Sequence, residues 1–343
     1  MGIENERKKL SKSLDRIEAL LYMTFQLIPE NVTELKSVRS KLMHLSKAEL
    51  ISRQAYVDTQ IKKLSKKIGL KVPLRKVLEW HAAIVKGISS GGVIFVGFWE
   101  FGTYFSNLDE IFGSEWEGFS RHAMLGFIPK QTEKYRYEWY LPEAQVYMDM
   151  CVCINELILL AAPNSDLSYY QVRKKQSAFR GAILNSYIFL EAYLNGIALD
   201  FAFRHPDKMT KEIETLVFEW DFLKSKRKYL STRDKIFRYV KIITGQDCPL
   251  QENNCPEMKF VTEVIEPFRD SIVHPAIFSY QGHSYDHKMH RHFRTDLKTA
   301  FRAVDNVIAL VRRMNLIVKG PEAQLKWLKS RDEKNGFPNE AFE

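Results

Sequence analysis

The feature that most constrains the fold is a long helical periodicity over residues 168–203. Apolar side chains recur there every three or four positions, which is typical of one face of an α-helix. This face contains Phe179, Ile183, Ser186 with Tyr187, Leu190, Leu194 and Ile197. Because proline disfavours helical backbone in the residue before it, the sequence predicts that this helix ends at His205-Pro206.

More helices are predicted after this one, and no strand-like alternation competes with them. They are expected at about Lys208–Lys224, Thr232–Thr244, Glu257–His274 and Arg294–Val318. Gly245, Pro275 and Gly320-Pro321 follow the last three, and glycine or proline is typical of a helix end. Residues 165–320 are therefore predicted to form an all-α up-and-down bundle, followed by a C-terminal tail at 321–343.

The first 76 residues carry heptad patterning. Leucine, isoleucine, valine and threonine occupy alternating three- and four-residue spacings, which is the a/d seam of a coiled coil. The seam positions are Leu10, Leu14, Ile17, Leu21, Thr24 and Ile28, then Leu35, Val38, Leu42 and Leu45, then Val57, Ile61, Leu64 and Ile68. Pro29 interrupts the run, so a basic coiled-coil-like hairpin of two or three helices is expected over 1–76.

The net charge of +9 is unevenly distributed. Residues 1–76 hold 17 Lys and Arg against 8 Asp and Glu, residues 77–164 hold 5 against 11, and residues 165–343 hold 29 against 23. The middle region, 77–164, is thus acidic; it is also rich in aromatic residues and glycine, and we expect it to be of mixed helical structure. Its aromatic side chains are interpreted mainly as core, because base-stacking surfaces usually carry positive charge.

Composition excludes several classes of protein. With 27% charged and 13% aromatic residues the chain is not wholly disordered, and four Cys do not make a disulfide scaffold. Cys151 and Cys153 lie too close in sequence for the usual zinc pair, and the sequence has no glycine-rich loop that would cradle a nucleotide phosphate. Neither a metal nor another cofactor is therefore predicted. The N-terminus lacks a secretory signal, and no apolar run reaches membrane-spanning length. We expect a cytoplasmic protein without a membrane partner.

An Arg-x₄-His motif, Arg269 to His274, stands at the end of a predicted helix. Arg39 to His44 has the same spacing, so the motif alone carries little information. Arg269 is permanently charged and can grip phosphate oxygens, and His274 has a side chain that suits acid or base catalysis near neutral pH. The structural alternative is that Arg269 forms an ion pair with Glu191 or Glu266 and that His274 caps a helix C-terminus.

Residues 168–318 resemble the HEPN superfamily. The resemblance rests on a long first helix with polar residues in its apolar stripe (Asn185–Asn195), a middle helix, the motif Arg269–His274 with polar Asp270 after the arginine, and a final helix. It implies a metal-independent endoribonuclease, in which an RNA 2′-hydroxyl attacks the adjacent phosphate to give a 2′,3′-cyclic phosphate and a 5′-hydroxyl. Arg269 and His274 would be catalytic, with Asp270 and Glu191 as orienting residues.

The same resemblance implies a homodimer formed through the bundle, and a toxin or antiphage abortive-infection effector. The N-terminal coil leaves open a protein partner or a higher oligomer. Two alternatives remain: a non-catalytic HEPN-like module that binds RNA, a nucleotide or a partner, and a coiled-coil scaffold whose bundle merely dimerises.

Two basic segments are candidates for contact with RNA. The first is the run Lys224, Lys226, Arg227 and Lys228 beside Tyr229, continued by Arg233, Lys235 and Arg238. Positive charge next to an aromatic ring suits RNA without selecting sequence. The second is a histidine-rich segment that includes His283 and His287. The alternative for the first segment is a solvated basic turn. The alternatives for the second are a pH-sensitive loop, a plain polar loop, and a metal site on the helix face that His283, His287 and His290 would share.

Overall fold

The computed structural model describes residues 2–24, 29–90, 92–112, 122–129, 135–161, 167–221, 224–273, 296–322, 325, 327–331 and 336–337, with backbone alone at 29–34, 128–129, 135–137 and 273. The chain divides into two compact units, Met1–Tyr140 and Leu141–Glu343. Helices dominate both units, which confirms the predicted all-α class.

The N-terminal unit consists of helices and one small antiparallel sheet. Its elements are α1 Ile3–Met23, α2 Pro29–Lys41, α3 Lys47–Lys67, α4 Leu74–Ser89, β1 Ile94–Gly97, α5 Phe98–Tyr104, α6 Asp109–Phe112, β2 Met124–Pro129 and β3 Tyr135–Tyr140. The strand order is β1-β2-β3, with Ile94 paired to Phe127 and Met124 to Tyr140.

Most described positions of the predicted heptad seams are buried in this unit; Leu35, Leu42 and Leu64 are half-buried, and Ile28 lies outside the described residues. Leu10 and Leu14 of α1 are fully buried, and Val57 and Ile61 of α3 are nearly so. Helix α3 begins at a capping box, because the Ser46 side chain accepts from the Glu49 amide and the Glu49 side chain accepts from the Ser46 amide. The core interpretation of the aromatic residues holds for the buried Phe98, Phe101 and Phe105.

The C-terminal unit is a helical bundle. Its elements are α7 Pro142–Leu159, α8 Tyr169–Arg204, α9 Lys211–Val217, β4 Trp220–Asp221, β5 Lys226–Arg227, α10 Thr232–Thr244, α11 Pro256–Phe260, a π-helical turn Val261–Ile265, α12 Glu266–Val273 and α13 Leu297–Lys319. The helix predicted at Lys208–Lys224 is shorter, because the chain leaves α9 for the two-residue ladder of β4 and β5.

Helix α8 is the centre of this bundle. It begins at the Ser168 capping box and ends beside His205, as the sequence predicts. Leu190 and Leu194 are fully buried, and α7, α10, α12 and α13 all pack against this helix. Among the described residues, α8 alone is long and apolar enough to cross a membrane, but 61% of its most apolar window is buried in the bundle. A core helix of this kind meets the same criterion.

The two units do not follow the charge boundaries. The cut expected between residues 76 and 77 falls inside α4, and α7, assigned to the middle region, packs on α8. Part of the expected C-terminal tail also belongs to the bundle, since Leu328 and Phe337 are buried in its core. The net charge of a segment depends mainly on its solvent-facing side chains, whereas a compact unit is defined by the apolar core that its elements share. The segments defined by charge and the structural units therefore have different boundaries.

Candidate functional site

The polar face of α8 organises the candidate site. Tyr187, Glu191 and Asn195 follow one another at four-residue spacing, so they lie on one face of the helix. Ser186, the neighbouring polar residue, has a different role: it is fully buried and donates to the Ala182 carbonyl at 2.7 Å. The interruption of the apolar stripe at Tyr187 therefore turns a polar row toward α10 and α12.

Hydrogen bonds connect this row to the motif arginine. Arg269 on α12 donates from Nη2 to the Tyr187 hydroxyl at 2.6 Å. The Tyr187 hydroxyl lies 3.0 Å from the Thr232 hydroxyl, which donates to Glu191 Oε1 at 2.7 Å. Three helices thus contribute to one continuous chain from Arg269 to Glu191, and such chains polarise and strengthen their members.

A buried lysine completes the far end of this chain. Lys235 on α10 is 4% exposed and forms ion pairs with Glu191 Oε2 at 2.5 Å and Glu219 Oε1 at 3.1 Å. Its Nζ also donates to Asn195 Oδ1 at 3.1 Å. The interpretation of Lys235 as part of a phosphate track is therefore wrong, because both carboxylates hold it inside the bundle.

Arg269 itself lies over an aromatic face. Its guanidinium carbon is 4.4 Å from the centroid of the Tyr187 ring, and Nη1 is 2.9 Å from Asp270 Oδ1. Its side chain remains 29% exposed. The ion pair considered from the sequence, with Glu191 or Glu266, is replaced by one with Asp270. Arg269 Nε is buried and has no hydrogen-bond partner within the described residues.

Burial shifts two acids of the site toward their protonated forms. It raises the pKa of Tyr187, and the charge of Glu191 acts in the same direction, so the phenol stays neutral. It also raises the pKa of Glu266, the first residue of α12. Glu266 consequently retains a proton to higher pH than an exposed glutamate.

The remaining predicted site residues form two groups: histidines that the structure does not describe, and basic residues that it places at the surface. His274, His283 and His287 lie outside the described residues. The basic run is exposed around the β4–β5 ladder: Lys224, Lys226, Arg227 and Lys228 all face solvent. Arg233 forms a 3.5 Å ion pair with Glu252, and Arg227 donates to the hydroxyl of the exposed Tyr229 at 3.3 Å.

Sequence reasoning missed four participants: Tyr187 as a polar partner, Thr232, Lys235 and Glu219. The four-residue spacing of Tyr187, Glu191 and Asn195 was the available signal for the first. Nothing in the sequence pairs Lys235 with Glu219 across 16 positions, because their approach depends on the turn through β4 and β5.

The four cysteines are free thiols, and burial raises the pKa of Cys151 to about 12. Within the described ranges, no group of three His, Cys, Asp or Glu side chains is placed to hold a metal ion. Comparisons with protein-family models, with curated proteins and with solved structures give no match for this chain.

Proposed function

We propose that this protein is a metal-independent endoribonuclease of the HEPN type. The observation that supports it most is the hydrogen-bonded chain from Arg269 through Tyr187 and Thr232 to Glu191, because it links the motif arginine to the polar row of the first long helix. Asp270 and the Tyr187 ring orient the guanidinium without burying it completely. An arginine fixed in this way can meet a phosphate with little reorganisation.

In the proposed reaction, the 2′-hydroxyl of one nucleotide attacks the adjacent phosphate and expels the 5′-oxygen of the next. Arg269 stabilises the negative charge that accumulates on the phosphorane-like transition state. His274 moves the proton, as the side chain with an ordinary pKa near neutrality. Two copies of the bundle in a homodimer would bring two motifs to one RNA strand, and Lys224, Lys226, Arg227, Lys228 and Arg233 would guide its backbone.

The experiment is RNA cleavage by the purified full-length protein in the presence of EDTA. We expect products with a 5′-hydroxyl, which polynucleotide kinase labels directly, and with a 2′,3′-cyclic phosphate. Arg269→Ala and His274→Ala should each abolish cutting while circular dichroism stays unchanged. Full activity in both variants would refute the proposal.

A second function is favoured by a specific contact. Arg269 already donates to Tyr187 and pairs with Asp270, as a purely structural arginine does. A non-catalytic module that binds RNA or a nucleotide would retain those contacts. It predicts RNA binding without a cyclic-phosphate product, and a lower melting temperature in Arg269→Ala as its main effect. Proposals of a cytoplasmic location and a role in abortive infection depend on the first function.

A further inference from the structure

The N-terminal unit contains a cavity of about 300 Å³ between α1, α2 and α3. Its wall is formed by apolar side chains of the heptad seams, among them the buried Leu14, Leu21, Val38 and Val57. The cavity is open to solvent on one side, so its apolar wall is accessible to an apolar group from solution. A ligand of one hydrocarbon chain suits it, because the volume lies at the lower limit of small-molecule sites.

The mouth of the cavity is polar and positively charged. Arg53, Tyr56, Gln60, Lys63 and Lys67 line it and follow one another on α3 at spacings of three and four residues, so they form a single stripe. None of the described residues that line the cavity is acidic. Lys67 pairs with Glu110 at 3.1 Å, whereas neither Arg53 nor Lys63 forms an ion pair within the part of the chain that the structure describes.

We propose that this cavity binds a single-chain amphipathic anion, such as a fatty carboxylate. The hydrocarbon chain would lie among Leu14, Leu21 and Val57, and the head group would remain at the mouth between Arg53 and Lys63. The two parts of the ligand match the two parts of the site: removal of the chain from water drives binding, and charge-assisted hydrogen bonds select an anion over a neutral or cationic head.

The test is isothermal titration calorimetry of the full-length protein with three probes that share one chain: decanoate, decanol and decyltrimethylammonium. We expect decanoate to bind, decanol to bind about tenfold more weakly, and the cation not to bind measurably. Each methylene added between octanoate and decanoate should increase affinity about fourfold. Equal affinity for decanoate and decanol, or tighter binding of the cation, would overturn the proposal.

A matched pair of variants locates the site. Arg53→Gln combined with Lys63→Gln should weaken decanoate binding about tenfold and leave decanol unchanged. Lys62→Gln combined with Lys66→Gln removes the same charge from exposed positions of α3 that do not line the cavity, and should change neither. Equal losses in both double variants would mean non-specific attraction and would contradict a site at the mouth.

Two additional measurements distinguish a bound hydrocarbon chain from other occupants of the cavity. Leu35→Trp, which adds volume at a half-buried lining position, should abolish decanoate binding in a protein whose helicity is unchanged. Should that variant not fold, the glutamine variants test the proposal alone. Cosedimentation with phosphatidylglycerol vesicles, lost in the Arg53 and Lys63 double variant and accompanied by no binding of free decanoate, would replace the proposed ligand with a membrane surface.

Discussion

The two Arg-x₄-His motifs have the same spacing, yet their arginines have different environments. In the N-terminal unit, Arg39 Nη2 donates to Asp15 at 2.8 Å and Glu18 at 2.6 Å on the neighbouring helix α1. In the C-terminal unit, Arg269 pairs with one carboxylate, that of its sequence neighbour Asp270, and donates otherwise to a neutral phenol. Both arginines join two helices, but Arg39 does so through two carboxylates of α1, and Arg269 does so through a phenol of α8.

Compensation of charge, and not the motif itself, is what separates the two regions. Arg39 meets two carboxylates and therefore gains little from a phosphate. Arg269 lies over an aromatic ring and connects, through Tyr187 and Thr232, to a buried ion cluster. A motif of a few residues indicates a function only when the surrounding structure leaves its side chains able to contact a ligand.

The strongest contrast is expected in catalysis. Arg269→Ala should reduce RNA cleavage at least about a hundredfold, as removal of one transition-state donor commonly does. Arg39→Ala, which removes the arginine of the matching motif, should leave the rate unchanged. Initial rates on a labelled RNA check this, with circular dichroism as the control for folding. A comparable loss in both variants would place the effect in stability and remove the distinction.

The next contrast concerns buried and exposed lysines of one helix. Lys235→Met should lower the free energy of unfolding by about 3 kcal/mol, because it leaves Glu191 and Glu219 without their shared partner. Lys241→Met on the same helix removes an exposed ion pair with Asp247 and should have no measurable effect. Urea unfolding of both variants, followed by the helical circular dichroism signal at about 222 nm, measures the two effects. An unchanged Lys235→Met midpoint would show that the cluster is not a stabilising unit.

A smaller contrast is expected between two glycines. Gly245 ends α10 with φ of 73°, where an L side chain is strained although nothing lies within 4 Å of the added methyl group. Gly245→Ala should therefore cost about 1 kcal/mol. Gly102 lies inside α5 with equally open space and no positive φ, so Gly102→Ala should stabilise by about 0.5 kcal/mol. Calorimetric melting temperatures that shift in the same direction would contradict this reasoning.

The smallest effect is a pH dependence. Burial raises the pKa of Glu266 in the folded state above its ordinary value of 4.5. The folded protein then holds the proton more tightly than the unfolded chain, so stability falls as pH rises from 4.5 through the folded pKa. Glu266→Gln should remove this decline and be more stable than the parent at pH 7. Urea midpoints of the two proteins between pH 4 and 7 test the sign, and parallel curves would refute it.

Local structure was largely predictable. The bounds of α10, Thr232–Thr244 with Gly245 as its stop, agree with the prediction, because Ser231 and Gly245 supply the caps within the segment itself. Helix α8 was predicted within one residue at each end for similar reasons. The roles of His274 and of Glu191 in catalysis stay predictions. The partner of Glu191 was not predictable, since Lys235 lies 44 positions away.

The sequence by itself determined where most helices of the C-terminal unit lie and which of their faces are apolar, since helix periodicity and capping depend on residues three or four positions apart. Only the tertiary structure decided which charges are used inside the protein. In the folded protein, Lys235 is buried and paired with two carboxylates, whereas Lys224 and Lys226 of the same basic stretch are exposed. The physical reason is that the free energy of a charge depends on its solvation and its neighbours, and packing between distant segments sets both.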